Sequence, residues 1–187
     1  GGHLTPGGKA LARLPLHPRL AHMVVAAASE DDALTAAELA VLIGERGLGG
    51  DGTDLSHRLD RFRRDSGKRA NDARQLAQRW ARLAGSTTTD RHPRARPEGA
   101  LLAAGSPGHH LARAFPDRVA QAAGPRGKFR LANGRQASLD VTDALANEAF
   151  LVVTDITGAA ASGRIRAAVA LDRADLETLF AHRITSA

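Results

Sequence analysis

The eight histidines of this 187-residue chain are its best candidates for proton transfer or metal binding, and their spacing favours neither. His17 and His22 stand five residues apart, so on a helix they share no face. His109 and His110 are adjacent and diverge. The His-Glu-x-x-His pattern is missing, and with no cysteine the chain builds neither a thiolate metal site nor a disulfide. Two glycine-rich stretches invite comparison with phosphate loops. "GERGLGGDGTD", Gly44–Asp54, lacks both a preceding strand and the closing Gly-Lys-Ser/Thr, and "GPRGK", Gly124–Lys128, is too short. No Gly-x-Ser-x-Gly occurs, so no nucleophile–base–oxyanion set assembles. The residues give a stand-alone hydrolase no candidate cluster.

Arginine is the remaining source of chemistry. The chain carries 26 basic residues against 20 acidic ones, and only Lys9, Lys68 and Lys128 are not arginine. Leu55–Gly85 holds nine of them against Asp60, Asp65 and Asp72, which accounts for the whole net charge of +6. Guanidinium forks fit phosphate oxygens and stack on bases. The candidate nucleic-acid contacts are Arg19, Arg58, Arg61 and Arg69 in the first half, with Lys128, Arg130, Arg135, Arg164 and Arg166 in the second. With aromatics at 3% there is little to stack bases on, so the expected binding is backbone contact, sensitive to salt and nearly blind to sequence.

The elements that would position these groups differ between the two halves. After Pro18, the 3–4 spacing of Leu20, Met23, Val24 and Ala27 predicts a helix to about Ser29. Thr35 and Glu38 read as a capping box for a second helix, ended by Gly47. Asp54 or Thr53 caps a third with Leu55, Leu59 and Phe62 on one stripe, and Ala73, Leu76, Trp80 and Leu83 mark a fourth. Short loops between four amphipathic helices imply a bundle. Gly85–Ala100 has no periodicity and many turn-formers, as a linker does. Beyond it the period changes. "KFRLANGRQASL" reads as a hairpin about Asn133-Gly134, with Phe129 and Leu131 on one face and Lys128 and Arg130 on the other. "AFLVVTDI" and "GRIRAAVAL" are further strands, and Asp172 caps a short helix through Phe180. Such closely spaced strands suggest a small barrel. Ala187 ends the chain where a further strand is expected. No apolar run is long enough for a membrane span, so a cytoplasmic protein with no membrane partner is expected.

The stretch "LTPGGKALARLPLHPRLAHM", Leu4–Met23, resembles the passage by which DEAH-type RNA helicases leave their winged-helix domain and enter the helical "ratchet" bundle. The form L-P-L-H-P-R-L-A-H-M is similar to the bacterial HrpB type of that family. "LARAFPDRVAQ", "FRLANGRQASL", "EAFLVVTDI" and "GRIRAAVALDRADLETLF" resemble the family's segments after the bundle, in the same order. The third and fourth helices fit in kind only, and the linker fits nothing. The resemblance implies an α+β chain: a winged-helix tail and connector over 1–17, a ratchet-like bundle over 18–85, a linker over 86–105, and an OB-like barrel over 106–187. It also implies an accessory region beside the path of single-stranded RNA or DNA. ATP and Mg would serve motor domains expected upstream of Gly1, so no cofactor and no catalytic residue are expected in this segment. A non-catalytic protein-interaction scaffold, suggested by the small apolar helices, is the alternative.

Overall fold

The computed structural model describes residues 14–85 and 106–184, without the side chains at 178 and 180–184. The expected winged-helix tail up to residue 13, the linker over 86–105 and the last residues of the chain lie outside the described residues. What is described is α+β: six α-helices and one closed five-stranded barrel.

Four helices come first: α1 (Pro18–Ala28), α2 (Ala33–Gly44), α3 (Leu55–Arg64) and α4 (Lys68–Gly85). Pro18 occupies the first turn of α1, where a missing N–H costs nothing, and His17 Nδ1 accepts from Arg19 N at 3.3 Å. The 3–4 spacing puts Leu20, Met23, Val24 and Ala27 inside. Helix α2 departs from the expected capping box. It starts at Ala33, with Asp32 at the cap position, so Thr35 and Glu38 lie within the helix rather than at its end. Both turn to Arg63 on α3, which donates to Glu38 Oε1 and Oε2 at 3.0–3.2 Å and to Thr35 Oγ1 at 3.3 Å. Glu38 is nearly fully buried, so a charged partner satisfies its carboxylate better than a backbone amide. The run Ala36–Leu42 is buried on all sides, and α2 packs chiefly on α1 and α4. The expected cap of α3 is found: Asp54 accepts from Ser56 N at 2.9 Å.

Helix α5 (Pro107–Ala114) leads into the barrel strands β1 (Val119–Ala122), β2 (Lys128–Leu131), β3 (Gln136–Ser138), β4 (Phe150–Thr157) and β5 (Gly163–Ala170), and α6 (Arg173–Ile184) follows. The strands close in the order β1-β2-β3-β5-β4. Pair β3–β5 is parallel and the other four are antiparallel. The hairpin at Asn133-Gly134 is present, with Gly134 at φ 87°, a backbone that favours glycine. Alternation places Phe129 and Leu131 in the barrel and Lys128 and Arg130 outside. With Ala120, Leu151, Val153 and Ile165 they fill its interior, and Leu145 and Ala146 on a short 3₁₀ turn help to close it.

A second apolar cluster joins the halves. It runs from α1–α4 through Leu111, Ala112 and Phe115 to Val152, Val169 and Leu171 on and beside β4 and β5. Polar contacts surround it. His110 is wholly buried against Asp32 through Nε2, and Arg113 Nη2 meets Glu30 Oε1 at 2.5 Å and His109 Nε2 at 2.6 Å. Arg19 and Asp117 pair at 2.6 Å, and the guanidinium groups of Arg19 and Arg118 each lie 5.6 Å from the Phe115 ring. The histidines that looked like proton-transfer groups thus include two that fasten the halves together.

Burial pulls the Glu30 carboxyl up, but the neighbouring His109 and the charge and hydrogen bond of Arg113 outweigh it and leave it below its ordinary 4.5. A lowered folded value stabilises the fold above the ordinary carboxylate range, and that stability is lost as pH falls through the folded value. Wild type is expected to lose urea midpoint between pH 7 and pH 3.5, and Glu30→Gln to lose less over the same interval. Equal losses in the two proteins would show that Glu30 does not carry the effect.

Candidate nucleic-acid interface

Barrel register determines which polar groups share the outer surface. Lys128 pairs with Ser138, Ser138 with Arg164, and Arg164 with Thr157, giving one row across β2, β3, β5 and β4. Arg130 and Gln136 form the adjacent pair. A cavity of about 180 Å³ opens on this face, bordered by Lys128, Arg130, Gln136, Ser138 and Ser162. Gly163, buried on β5, holds the backbone close there: a Cβ would come 3.0 Å from Ile156 Cδ1.

The nine basic residues singled out from the sequence separate by their partners. Arg19 is held by Asp117 and Phe115. Arg58 donates to the carbonyls of Leu48 and Leu42 at 3.2–3.3 Å, and burial, opposed by Asp51, pulls its guanidinium below its ordinary value. Arg69 joins Glu45 and the Arg46 carbonyl at 3.2 and 2.7 Å. Arg135 donates to the Gly158 carbonyl at 3.0 Å while its buried Nε has no partner among the described residues. These four are committed to oxygens of the chain itself. Arg164 lies 3.9 Å from Asp140, and Arg166 Nε donates to Thr157 Oγ1 at 3.2 Å, both at exposed positions. Asp140 carries a lowered carboxyl, held down by the Thr142 backbone N–H and hydroxyl more than by Arg164. No hydrogen bond or ion pair among the described residues engages the Arg61, Lys128 and Arg130 side chains, and all three are exposed.

Comparison with known proteins bears on what such a surface serves. No protein-family model matches the chain. It is 32% identical over 171 residues to the ATP-dependent RNA helicase HrpB of Escherichia coli (strain K12), a match that takes in 91% of this chain and 19% of that protein. A solved structure, the E. coli DExH-box NTPase HrpB, superposes with a TM-score of 0.70 at 29% identity, covering 95% of this chain and 20% of that one. In sequence and in fold the chain is similar to part of HrpB. A second solved structure, the Escherichia coli DEAH/RHA helicase HrpB, gives a TM-score of 0.64 at 26% identity over 91% of this chain and 20% of that one. The chain therefore spans about one-fifth of the length of the HrpB proteins it matches.

The E. coli helicase HrpB is ATP-dependent, and that activity needs a phosphate loop and a metal site. The Gly44–Asp54 stretch connects two helices rather than a strand and a helix, and it carries no Gly-Lys-Ser/Thr. Among the described residues no three His, Asp or Glu side chains converge as metal ligands. The described residues form no site that fits ATP and Mg, and no chemical step is assigned to them. No helix among the described residues is long and apolar enough to cross a membrane.

Proposed function

We propose that this chain is the accessory RNA-path region of an HrpB-type helicase, holding single-stranded nucleic acid by its backbone while ATP hydrolysis belongs to motor domains outside the chain. In this reading residues 18–85 are the ratchet-like bundle, 106–187 the OB-type domain, 86–105 their connection and 1–17 the end of a winged-helix region. The barrel's strand order, with β3 parallel to β5, supports an OB-type assignment, in which the faces of strands 2 and 3 take oligonucleotides. The observation that carries the reading is the outward row Lys128–Ser138–Arg164–Thr157, exposed except at the half-buried Ser138 and flanked by Arg130, on that surface. Its groups suit phosphate and ribose oxygens and include no exposed aromatic, so affinity comes from charge and hydrogen bonding.

The test is binding of the 187-residue chain to a labelled oligouridylate from about 0.05 to 0.3 M salt. Each phosphate contact on a single strand contributes about −0.7 to the slope of log K against log salt, so three to five contacts predict roughly −2 to −3.5. Salt-independent binding, or none at low salt, would overturn a direct RNA role.

A further inference from the structure

The glycine-rich stretch that fails as a nucleotide loop still has a well-defined place in the fold. Arg58 holds Leu48 O to α3 at 3.2 Å, and Thr53 O accepts from Ala168 N on β5 at 3.0 Å, so the loop is pinned to both halves of the molecule. Asp54 and Ala168 extend this contact as a parallel bridge. Between the loop and strands β4–β5 lies a cleft of about 370 Å³ bordered by Arg46, Gly50, Asp51, Asp155, Thr157 and Arg166. Arg46 is exposed, and among the described residues no hydrogen bond or ion pair engages its guanidinium. Arg61 Nη1 comes 3.2 Å from where a Cβ on Gly50 would lie, so a second uncommitted guanidinium backs the same loop. With Arg58 and Arg166, three arginines line this cleft against the two aspartates, and Arg61 stands behind the loop, an excess of positive charge at a concave site.

Thr157 is both a wall of this cleft and the last member of the barrel row. Strands lie about 4.8 Å apart, so the row brings a bound strand from Lys128 to the cleft over roughly 14 Å. We infer that the cleft is a second phosphate subsite, in which Arg46 and Arg166 grip a backbone phosphodiester of the same single-stranded RNA where it passes from barrel to helices. The inference rests on the RNA-path reading and extends it. It makes the footprint longer than the barrel face and gives the glycine loop a role: Gly50 and Gly52 present no side chain to obstruct the backbone of a ligand.

The experiment measures binding of the 187-residue chain to oligouridylates of about 4 and 12 nucleotides at about 0.05 M salt. Wild type should bind the longer strand more tightly by more than the gain in registers explains. Arg46→Glu is expected to lower affinity for the 12-mer about tenfold and to reduce its salt slope by about 0.7, with the 4-mer changed less than twofold. Asp51→Asn, which removes a negative charge from the same wall, is expected to raise 12-mer affinity about threefold, an outcome that damage to the fold does not produce. Excess inorganic phosphate at constant ionic strength should leave 12-mer binding unchanged, because a phosphodiester held at two places is not displaced by a free ion. Selective displacement by phosphate would make the cleft a free-phosphate site and overturn the inference. Unchanged 12-mer binding in both variants, while wild type binds RNA, overturns the subsite and leaves the RNA-path reading standing. Failure of wild type to bind either strand sinks that reading itself.

Discussion

Reversing charge at both Lys128 and Arg130 with glutamate is expected to lower affinity for single-stranded RNA about 100-fold at 0.05 M salt. Each substitution removes an attraction and adds a repulsion, each of up to about 1 kcal/mol near a phosphate in water and reduced by salt; a net of about 1.4 kcal/mol per site is tenfold, and two sites give about 100-fold. The salt slope is expected to fall by about 1.4, two contacts' worth. Strand β2 tolerates the change because Phe129 and Leu131, which alternate with the two cations, carry the packing and stay in the barrel. Glutamate's weaker strand preference costs at most about 1 kcal/mol. Anisotropy of a labelled oligouridylate measures the affinity, with Arg173→Glu as the matched control. Arg173 is exposed on α6 next to Glu177, away from the polar row, and its reversal is expected to cost under about threefold. Comparable losses in the two proteins would mean that net charge governs binding and the barrel face does not.

A Gly49→Ala chain is expected to lose about 2–5 kcal/mol of stability, which lowers Tm by roughly 5–15 °C for a chain of this size. Two costs combine there. Gly49 has φ 69°, where an L side chain costs about 1–2 kcal/mol. A Cβ would also lie 2.1 Å from the Arg58 carbonyl oxygen and 2.8 Å from its carbon, so α3 itself would have to move, at about 1–3 kcal/mol. Gly52, three residues on, has nothing within 4 Å of an added Cβ, and Gly52→Ala is expected to cost less than about 1 kcal/mol. Thermal melts followed by circular dichroism separate them. Similar Tm values for the two would show that the loop does not bear on α3 as described.

What was legible from the sequence was local. The entry into α1, the Asp54 cap and the Asn133-Gly134 hairpin each need only neighbouring residues, and each is found. The alternation Lys128–Leu131 gave the correct faces for the same reason. Helix α2 was misplaced at its start because Thr35 and Glu38 satisfy a capping pattern, whereas their true partner, Arg63, is 25 residues away from Glu38 in the chain. Helix α5 has a start signal in Ser106-Pro107, but at eight residues it is too short to establish a period, and the four residues of β1 show no alternation. His110 and Asp32 are 78 residues apart, so nothing local in either announces the contact. The interface followed the same division. Clustering of arginines in Leu55–Gly85 suggested a binding face, yet Arg58, Arg63 and Arg69, together with Arg74 on the Phe62 carbonyl, serve oxygens of the chain. Arg46 looks like a solvated loop charge until β5 is set against the loop.

The joint between helices and barrel has a consequence for the evolution of this chain. The apolar cluster through Leu111 and Phe115, the Glu30–Arg113 and Asp32–His110 contacts and the Thr53–Ala168 hydrogen bond fasten the halves through residues far apart in the chain. Selection can therefore change residues on either side of the joint only in step with partners 78 to 115 positions away along the chain.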